Sequence, residues 1–494
     1  MKLAKYCTKI IEYSFYTIFF LVPLVFSGAT SELFEFNKMW LTFGFTAVIV
    51  AAWASKMVFE KKIFIQRTPF DIPILLFLLS QIISSLISLD QHVSWWGYYS
   101  RFNGGLLSTI TYIVLYYAFV TNFKVKHVFN LIKVTLVSGF LTALWGFPAH
   151  FGADPTCLLM QGKMDTSCWT EAFQPTVRTF STLGQPAWFA AYLALLIPIA
   201  MAYALKQTSA KVWIFIGLAI FFYVNLIFAN TRAGFIAFWI ANIFFWAILF
   251  YKHLFPKQNF MRAFILFNTV FIMSSFLLGS PLGPLTKFTL PSLMNQPVVS
   301  EETTPSGAPA TPIAGSGVTD SGDIRLFVWQ GALDAWKSSP VFGTGVETFA
   351  FAYYKFKPAG HNMTSEWDYL YNKAHNEYLN YLTTTGLFGL GTYIAIIGWF
   401  IFMALKYVLL AHRKDPEAKS NGVLTDGVIA QLTIIALLTS FITILITNFF
   451  GFSVVIMNLY LFLIPGLALI LGNLLKEDHV WRFNFGAEEN RAGK

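Results

Sequence analysis

The chain has 494 residues, of which 56% are hydrophobic and 12% are charged, and its formal net charge at pH 7 is +9. Soluble domains carry about 25% charged residues, so this composition excludes an ordinary soluble protein and indicates a polytopic membrane protein. The positive charge does not predict a nucleic-acid partner, because the lysines and arginines follow the alternation of the predicted membrane spans.

Apolar runs recur along the whole chain. A membrane-spanning helix needs about 20 mainly apolar residues, and we identify twelve candidate runs. They lie at about 10–27, 39–57, 71–89, 105–121, 128–147, 186–205, 212–229, 233–251, 262–279, 386–405, 427–449 and 453–474. The predicted fold is an all-α polytopic membrane protein with about 12 transmembrane helices and a large, partly helical extracytoplasmic loop between helices 9 and 10.

These runs divide the chain into four parts. Residues 1–279 hold helices 1–9 with short loops, residues 280–385 form the large loop, residues 386–475 hold helices 10–12, and residues 476–494 form a cytoplasmic tail. Within the loop, residues 280–322 are rich in Pro, Ser, Thr and Gly, which predicts a flexible insertion.

The distribution of basic residues predicts the orientation. If the chain starts in the cytoplasm, 22 of the 34 lysines and arginines fall on the inner side, 11 on the outer side and one within a span. The positive-inside rule then places both termini in the cytoplasm and the large loop outside. The sequence has no Walker A, GxGxxG or HExxH motif, and its cytoplasmic links are short, so we expect no nucleotide, metal or other cofactor.

Two outer links before the large loop carry isolated arginines. Arg101 lies in the segment WWGYYSRFNGG, where the aromatic residues are typical interfacial anchors but the arginine could meet an anion. Arg232 lies at a helix boundary close to membrane depth. A charged side chain there costs free energy unless it snorkels to the interface or pairs with another charge. Arg232 therefore either reaches the lipid headgroups or binds an anion.

Cys157 and Cys168 share the outer loop before the sixth helix. An oxidising compartment permits a disulfide between them, and two unpaired thiols are the alternative.

Most of the candidate chemistry lies between residues 323 and 391. Arg325 opens an amphipathic helical pattern, and its planar fork could bind a phosphate group in two-pronged fashion; an ion pair with a nearby aspartate is the alternative. A Pro-x-x-Gly-x-Gly turn follows, in which Gly343 and Gly345 shape the site.

His375 and Asn376 head the next helical pattern. The helix dipole disfavours an imidazolium at that position, so a neutral His375 could deprotonate a hydroxyl, while a local structural hydrogen bond is the alternative. A second pair, His361-Asn362, heads no helix and ranks lower. Glu366 and Asp368 resemble a short metal-binding motif that often arises by chance.

Four blocks in order resemble one known family, the O-antigen ligase and polymerase superfamily of bacterial envelopes, which includes protein O-oligosaccharyltransferases. They are WWGYYSRFNGGLLSTITYIVLYY, RTFSTLGQPAWFAAYLALLIPIAM, NTRAGFIAF, and GDIRLFVWQGALDAWKSSPVFGTGVETF with AHNEYLNYLTTTGLFGLG. The sequence departs from the family pattern in two places. Ala187 stands where the family often has asparagine, so a polar contact there is either missing or supplied by Gln185, and a Pro/Thr-rich insertion precedes Arg325.

This resemblance implies an inverting glycosyltransferase without metal or nucleotide. It would move a glycan from an undecaprenyl-diphosphate carrier to an acceptor hydroxyl, on a glycolipid, a glycan or a protein, at the outer face of the bacterial inner membrane. It assigns His375 as the base, and Arg325, Arg232 and Arg101 to the diphosphate. An O-antigen ligase is favoured over a polymerase or a protein O-oligosaccharyltransferase.

A transporter or flippase of lipid-linked glycans is the alternative from another class. Such proteins also need many helices, but a coupled transporter usually places paired repeats and ionisable residues within its spans, and the sequence shows few of these.

Overall fold

The computed structural model describes residues 2–170, 173–207, 209–294, 319, 321–410, 426–476 and 478–484. Within these residues, a helix lies over each of the twelve predicted spans. The twelve are α1 (Lys2–Leu21), α2 (Glu35–Phe59), α3 (Asp71–Leu86), α5 (Leu106–Asn122), α6 (Val125–Ala149), α8 (Pro186–Lys206), α9 (Val212–Phe228), α10 (Arg232–Lys252), α11 (Lys257–Leu278), α16 (Glu377–Leu410), α17 (Asp426–Phe449) and α18 (Val455–Leu471).

Seven of these helices, α2, α6, α8, α10, α11, α16 and α17, are long and apolar enough to cross a membrane, and α3, α5, α9 and α18 are shorter apolar helices. The chain is therefore a multi-pass helical membrane protein, and twelve spans stay a prediction.

Among the described residues, six further helices lie in the links that the predicted orientation places outside. They are α4 (Gln91–Trp96), α7 (Pro155–Gln161), α12 (Gly283–Thr286), α13 (Leu290–Met294), α14 (Ser321–Ser338) and α15 (Phe349–Phe356), together with 3-10 turns at Ser181–Leu183 and Ala359–Met363. Most of the predicted flexible insertion, residues 295–318, lies outside the described residues.

Helix α8 is the centre of the bundle. Every residue from 188 to 204 is buried, and the helix packs against α9, α10 and α17. Its sequence is apolar on all sides, as expected for a helix without a solvent face. Small residues allow close approach, because a Cβ on Gly234 would lie 2.5 Å from the Cβ of Ala190.

Buried polar contacts tie distant segments together at one end of the bundle. Glu35, the first residue of α2, accepts a 2.8 Å hydrogen bond from the backbone N–H of Val455, the first residue of α18. Lys38 is fully buried and donates to the carbonyls of Val25 and Thr182 at 2.9 and 2.8 Å. These contacts fix the ends of α1, α8 and α18 relative to one another.

Helix α16 is broken at Gly386, which has φ 65° and ψ −168°. The break frees backbone groups on both sides of it, and the Pro-x-x-Gly-x-Gly turn satisfies them. Leu387 and Phe388 donate to the carbonyls of residues 340 and 341, while the N–H groups of Thr344 and Gly345 donate to the carbonyls of residues 383 and 384.

Both turn glycines are required by this close docking. Gly343 has φ 71°, and a Cβ there would lie 2.3 Å from backbone atoms of Thr384; Gly345 has φ 117° and no room beside Ser88. A side chain at either position would be strained and would push the turn away from α16.

The predicted all-α architecture is accompanied by one small sheet that the sequence did not predict. Strands β1 (Lys62–Gln66) and β2 (Val480–Asn484) form an antiparallel two-stranded sheet with Lys62 opposite Asn484. Each strand has only five residues, too short for alternation to distinguish it from a polar link. Ten of the predicted spans separate the strands, an even number, so the pairing agrees with their placement on one side of the membrane.

Candidate functional site

A cavity of about 530 Å³ lies at the outer end of the bundle, as the predicted orientation defines it. Five separate segments contribute to its wall: residues 173–191 before and in α8, Ala233 at the start of α10, Arg325 on α14, Glu366 and His375 in the large loop, and residues 447–457 between α17 and α18. The fold therefore gathers several outer links around one concave site.

His375 faces this cavity from the residue pair before α16. Its backbone has φ 52°, a conformation that a residue other than glycine adopts only when its surroundings impose it. The surroundings do so here, because Asn376 caps α16 by accepting from the N–H of Leu379 at 3.1 Å. In addition, Trp329 donates to the carbonyl of Ala374 at 3.1 Å.

The imidazole of His375 is oriented by a backbone carbonyl. Its Nδ1 lies 3.1 Å from the carbonyl oxygen of Lys373. A carbonyl only accepts, so Nδ1 carries the hydrogen and Nε2 keeps its lone pair. Burial, and next the positive charge of Arg325, lower the pKa of His375 from 6.5 to about 4. The side chain is thus a neutral proton acceptor at physiological pH.

A buried ion pair holds the backbone behind His375. Lys373 and Glu347 pair directly, and their side chains are only 9% and 5% exposed. Glu347 has φ 61° and also lies against Gly104, where a Cβ would collide with its carboxylate. The pair therefore joins the turn after α14 to the segment that carries His375.

Three arginines surround the cavity. Arg325 lines it, and so does Arg178 from the link before α8. Partial burial, and then the charge of Arg325, lower the pKa of Arg178, so the two guanidinium groups are close enough to repel each other. An anion between them would remove that repulsion.

Arg101 lies behind two aromatic residues of the cavity wall. Its guanidinium is 5.1 Å from the ring centre of Trp188 and 5.3 Å from that of Phe452. Its Nη1 is buried and has no hydrogen-bond partner among the described residues. The positive charge of Arg101 also contributes to the low pKa of His375.

Arg232 is the first residue of α10 and is exposed, while the next residue, Ala233, lines the cavity. The structure therefore brings His375 and Arg325 to the wall, with Arg101 behind it, and leaves Arg232 outside the lining. Arg178 was missed as a site residue in the sequence. The sequence feature that could have indicated it is an arginine in a predicted outer link, shortly before the apolar run that forms α8.

The second His-Asn pair has a different environment. His361 is fully buried, and its Nδ1 lies 2.5 Å from the hydroxyl of Tyr353. Its ring packs against Tyr371, with ring centres 5.2 Å apart, and Tyr371 in turn packs against His375 at 5.3 Å. His361 thus supports the segment beneath His375 and does not line the cavity.

Glu366 and Asp368, the acidic pair of the sequence, have different environments. Glu366 lines the cavity and accepts a hydrogen bond from the hydroxyl of Tyr371, whereas Asp368 is exposed. Among the described residues, no group of three or more His, Cys, Asp and Glu side chains could hold a metal ion.

Ala187, which replaces the asparagine common in the family, and the nearby Gln185 both line the cavity. Gln185 precedes α8, and Ala187 is exposed to the cavity in its first turn. Gln185 therefore offers a polar side chain in the same part of the cavity wall where the family often has asparagine at position 187.

The structure contains a disulfide between Cys157 and Cys168, with the Cα atoms 5.3 Å apart. The next residue, Trp169, donates to Asp154 at 2.7 Å and packs edge-on against Phe180, which lines the cavity. The disulfide-closed loop is thereby connected to the wall that carries Arg178.

One known family model matches part of the chain. The O-antigen ligase family model matches residues 217–394, which include Arg232, Arg325 and His375 and extend from α9 to the first half of α16. Arg101 and Arg178 lie outside the matched range. No curated protein matches the chain. The resemblance to the O-antigen ligase superfamily is confirmed.

Proposed function

Residues 217–394 carry the O-antigen ligase domain, and from this premise we propose that the protein transfers a glycan from an undecaprenyl-diphosphate carrier to an acceptor hydroxyl. The reaction takes place at the outer face of the bacterial inner membrane. The observation that carries the proposal is a neutral histidine that faces the same cavity as Arg325 and Arg178.

His375 acts as the general base. Its Nε2 takes the proton of the acceptor hydroxyl while the acceptor oxygen attacks the anomeric carbon of the glycan. The bond between that carbon and the carrier's phosphate oxygen breaks, and the electron pair leaves with the diphosphate. Attack opposite the leaving group inverts the anomeric carbon. General base catalysis of this kind contributes on the order of 10²–10⁴ in rate.

The arginines act on the leaving group. Negative charge grows on the diphosphate as its bond to the sugar breaks, and fixed positive charges in a partly buried site stabilise that change. Arg325 and Arg178 are placed to hold the two phosphates, with Arg101 behind the aromatic wall and Arg232 at the adjoining start of α10. No metal is required for this charge balance.

Donor binding and proton transfer are coupled through charge. In the empty cavity the charge of Arg325 opposes protonation of His375. A diphosphate bound to Arg325 cancels that charge and raises the affinity of Nε2 for a proton. The base therefore becomes stronger when the donor is present.

The cavity volume fits the reacting part of the donor. Ligand sites typically enclose about 300–1,000 Å³, and about 530 Å³ accommodates a diphosphate with the adjoining sugar but no polymer. The rest of the glycan must extend outward and the polyprenyl tail into the membrane.

The decisive experiment is transfer by purified protein in detergent. A lipid-diphosphate glycan is supplied with a glycolipid acceptor, and product is separated by mass; formation of the joined product supports transfer, and its absence with every acceptor class sinks the proposal. A transporter cannot join the two substrates. A free glycan chain or a peptide as the accepted substrate would instead indicate a polymerase or a protein O-oligosaccharyltransferase.

His375→Ala should abolish product in this assay, and His92→Ala is the matched control because His92 is exposed on the short helix α4. His361→Ala is a poor control, since it would leave the Tyr353 hydroxyl unpaired in the interior.

A further inference from the structure

A second recess lies at the end of the bundle opposite the candidate site. It encloses about 780 Å³ between the start of α1, the end of α2, strand β1 and the connection from α5 to α6. Four lysines from these four segments line it: Lys5, Lys56, Lys62 and Lys124. We call this recess the lysine groove.

The lysine groove is strongly positive. Among the described residues that line it, Glu60 is the one carboxylate, and it lies 3.8 Å from Lys62. The lysine and glutamate side chains of the lining together carry three net positive charges. Like charges gathered in one recess repel each other, and a bound anion would relieve the repulsion.

Polar side chains in the lysine groove hold one of its lysines in place and add hydrogen-bonding groups. Lys56 is held in place by a 2.8 Å hydrogen bond from its Nζ to the side-chain oxygen of Asn122. The hydroxyls of Thr8 and Thr121 line the same recess. His127 at its edge is paired at 3.8 Å with Glu12, so the nearest further carboxylate is already engaged outside the lining.

Apolar surface surrounds the groove. Leu3 and Tyr6 on α1 are 57% and 63% exposed, and Val58 and Phe59 at the end of α2 are 61% and 48% exposed. A free inorganic anion would use only the lysines. An amphipathic anion would use both surfaces, with its head on the lysines and its chains along α1 and α2.

We propose that the lysine groove binds an anionic phospholipid, with the lipid phosphate held by Lys5, Lys56, Lys62 and Lys124 and the acyl chains against α1 and α2. Basic recesses between membrane helices recognise phosphate headgroups in this way. The inference is independent of the proposed glycosyl transfer, because none of its residues lies near the outer cavity.

The test is native mass spectrometry of the full-length protein released from detergent in the presence of phosphatidylglycerol or phosphatidylcholine. One phosphatidylglycerol should stay bound where phosphatidylcholine does not. The groove variant carries Lys5→Gln, Lys56→Gln, Lys62→Gln and Lys124→Gln. The control variant carries Lys2→Gln, Lys9→Gln, Lys61→Gln and Lys126→Gln, which removes the same charge from exposed lysines nearby that do not line the groove.

The groove variant should bind phosphatidylglycerol at least about tenfold more weakly, since each lysine near an anionic lipid contributes about fivefold in affinity, and the control should bind as wild type does. Equal loss in both variants would show general charge attraction and overturn the site. Retention by the groove variant would overturn it as well.

Three further arms keep the result interpretable. Replacing the same four lysines by arginine should preserve binding. A variant that keeps Lys56 but changes the other three lysines should also lose the lipid, and it replaces the fourfold variant if that variant does not fold. Inorganic phosphate at millimolar concentration should not displace the lipid. Displacement would show that the groove takes a free phosphate and would overturn the lipid assignment.

Discussion

The Nδ1 atom of His375 lies 3.1 Å from the carbonyl oxygen of Lys373, two residues before it in the chain. This contact fixes which nitrogen carries the hydrogen and leaves Nε2 with its lone pair. The side chain of Lys373 is paired in turn with Glu347. The orientation of the proposed base thus depends on a buried ion pair that does not itself line the cavity.

The first prediction concerns pH. A base works only when unprotonated, and His375 takes up its proton only as the pH falls towards about 4. We therefore expect kcat/KM for the donor to stay level between about pH 7.5 and pH 5.5, where an ordinary imidazole would lose about tenfold. Initial rates at low donor concentration measure this, and a decline centred near 6.5 would contradict it.

The same experiment has an internal control. Arg325→Gln removes a positive charge that lowers the pKa of His375, so the acid limb of its residual activity should move to higher pH. A merely structural role for Arg325 would lower the rate without moving the limb.

The second prediction concerns the ion pair. Glu347→Gln leaves the buried ammonium of Lys373 without its counter-charge, and such a loss typically destabilises a protein by about 3–5 kcal/mol. We expect a lower unfolding temperature and reduced transfer by the protein that remains folded. Lys337→Met is the matched control, because it breaks an exposed 2.8 Å pair with Asp334 that contributes about 0–1 kcal/mol. Similar unfolding temperatures for the two variants would refute the assignment.

The third prediction concerns the arginines. Arg325→Gln and Arg178→Gln should each weaken donor binding and lower turnover, on the order of 10²–10³ for loss of one stabilising group. Arg325→Lys should recover only part, because it keeps the charge and loses the planar fork. Arg482→Gln, on the exposed face of β2, controls for a general loss of charge.

Donor binding and transfer measured side by side separate these roles. His375→Ala should bind donor as wild type does, whereas Arg325→Gln should bind it more weakly. Full donor binding by Arg325→Gln would contradict the assignment of the diphosphate to Arg325 on α14. The same pair of measurements on Arg232→Gln decides whether that exposed residue belongs to the site.

The fourth prediction concerns orientation. Tyr354 on α15 is 83% exposed, and the positive-inside distribution places it outside. In a Cys7→Ser background that keeps the disulfide, Tyr354→Cys should react with an impermeant maleimide in cells whose outer membrane is permeabilised. Lys61→Cys, in the link between α2 and β1, should react only after lysis. The reverse pattern would invert the topology.

Much of the fold was predictable because it follows from hydrophobic length alone. A helix lies over each predicted span, and the end of the predicted outer loop at residue 385 adjoins the break at Gly386. The pairing of β1 with β2 could not be predicted, since it joins two five-residue segments more than 400 positions apart whose local patterns are weak.

The site was predictable only in part, because some of its residues are brought to the cavity by contacts that leave no local sequence pattern. His375 and Arg325 stand out in sequence because each occupies the start of a helical pattern. Arg178 does not, and it becomes a site residue only because the link before α8 folds over the cavity. Likewise the burial of His361 depends on Tyr353 and Tyr371 packing around it, which no local pattern reveals.

The hydrogen bond from the N–H of Val455 to Glu35 has a consequence for how the protein is made. Its two residues are separated by 420 positions, and synthesis proceeds at roughly 5–20 residues per second. The carboxylate of Glu35 therefore enters the membrane region roughly 20–80 s before its partner exists. Because α18 and the link before it, including Phe452, complete the cavity wall, the nascent protein has no finished site until its last helix has been inserted. A ribosome that stalls before α18 leaves a bundle with most of its helices and a cavity wall that lacks Met457.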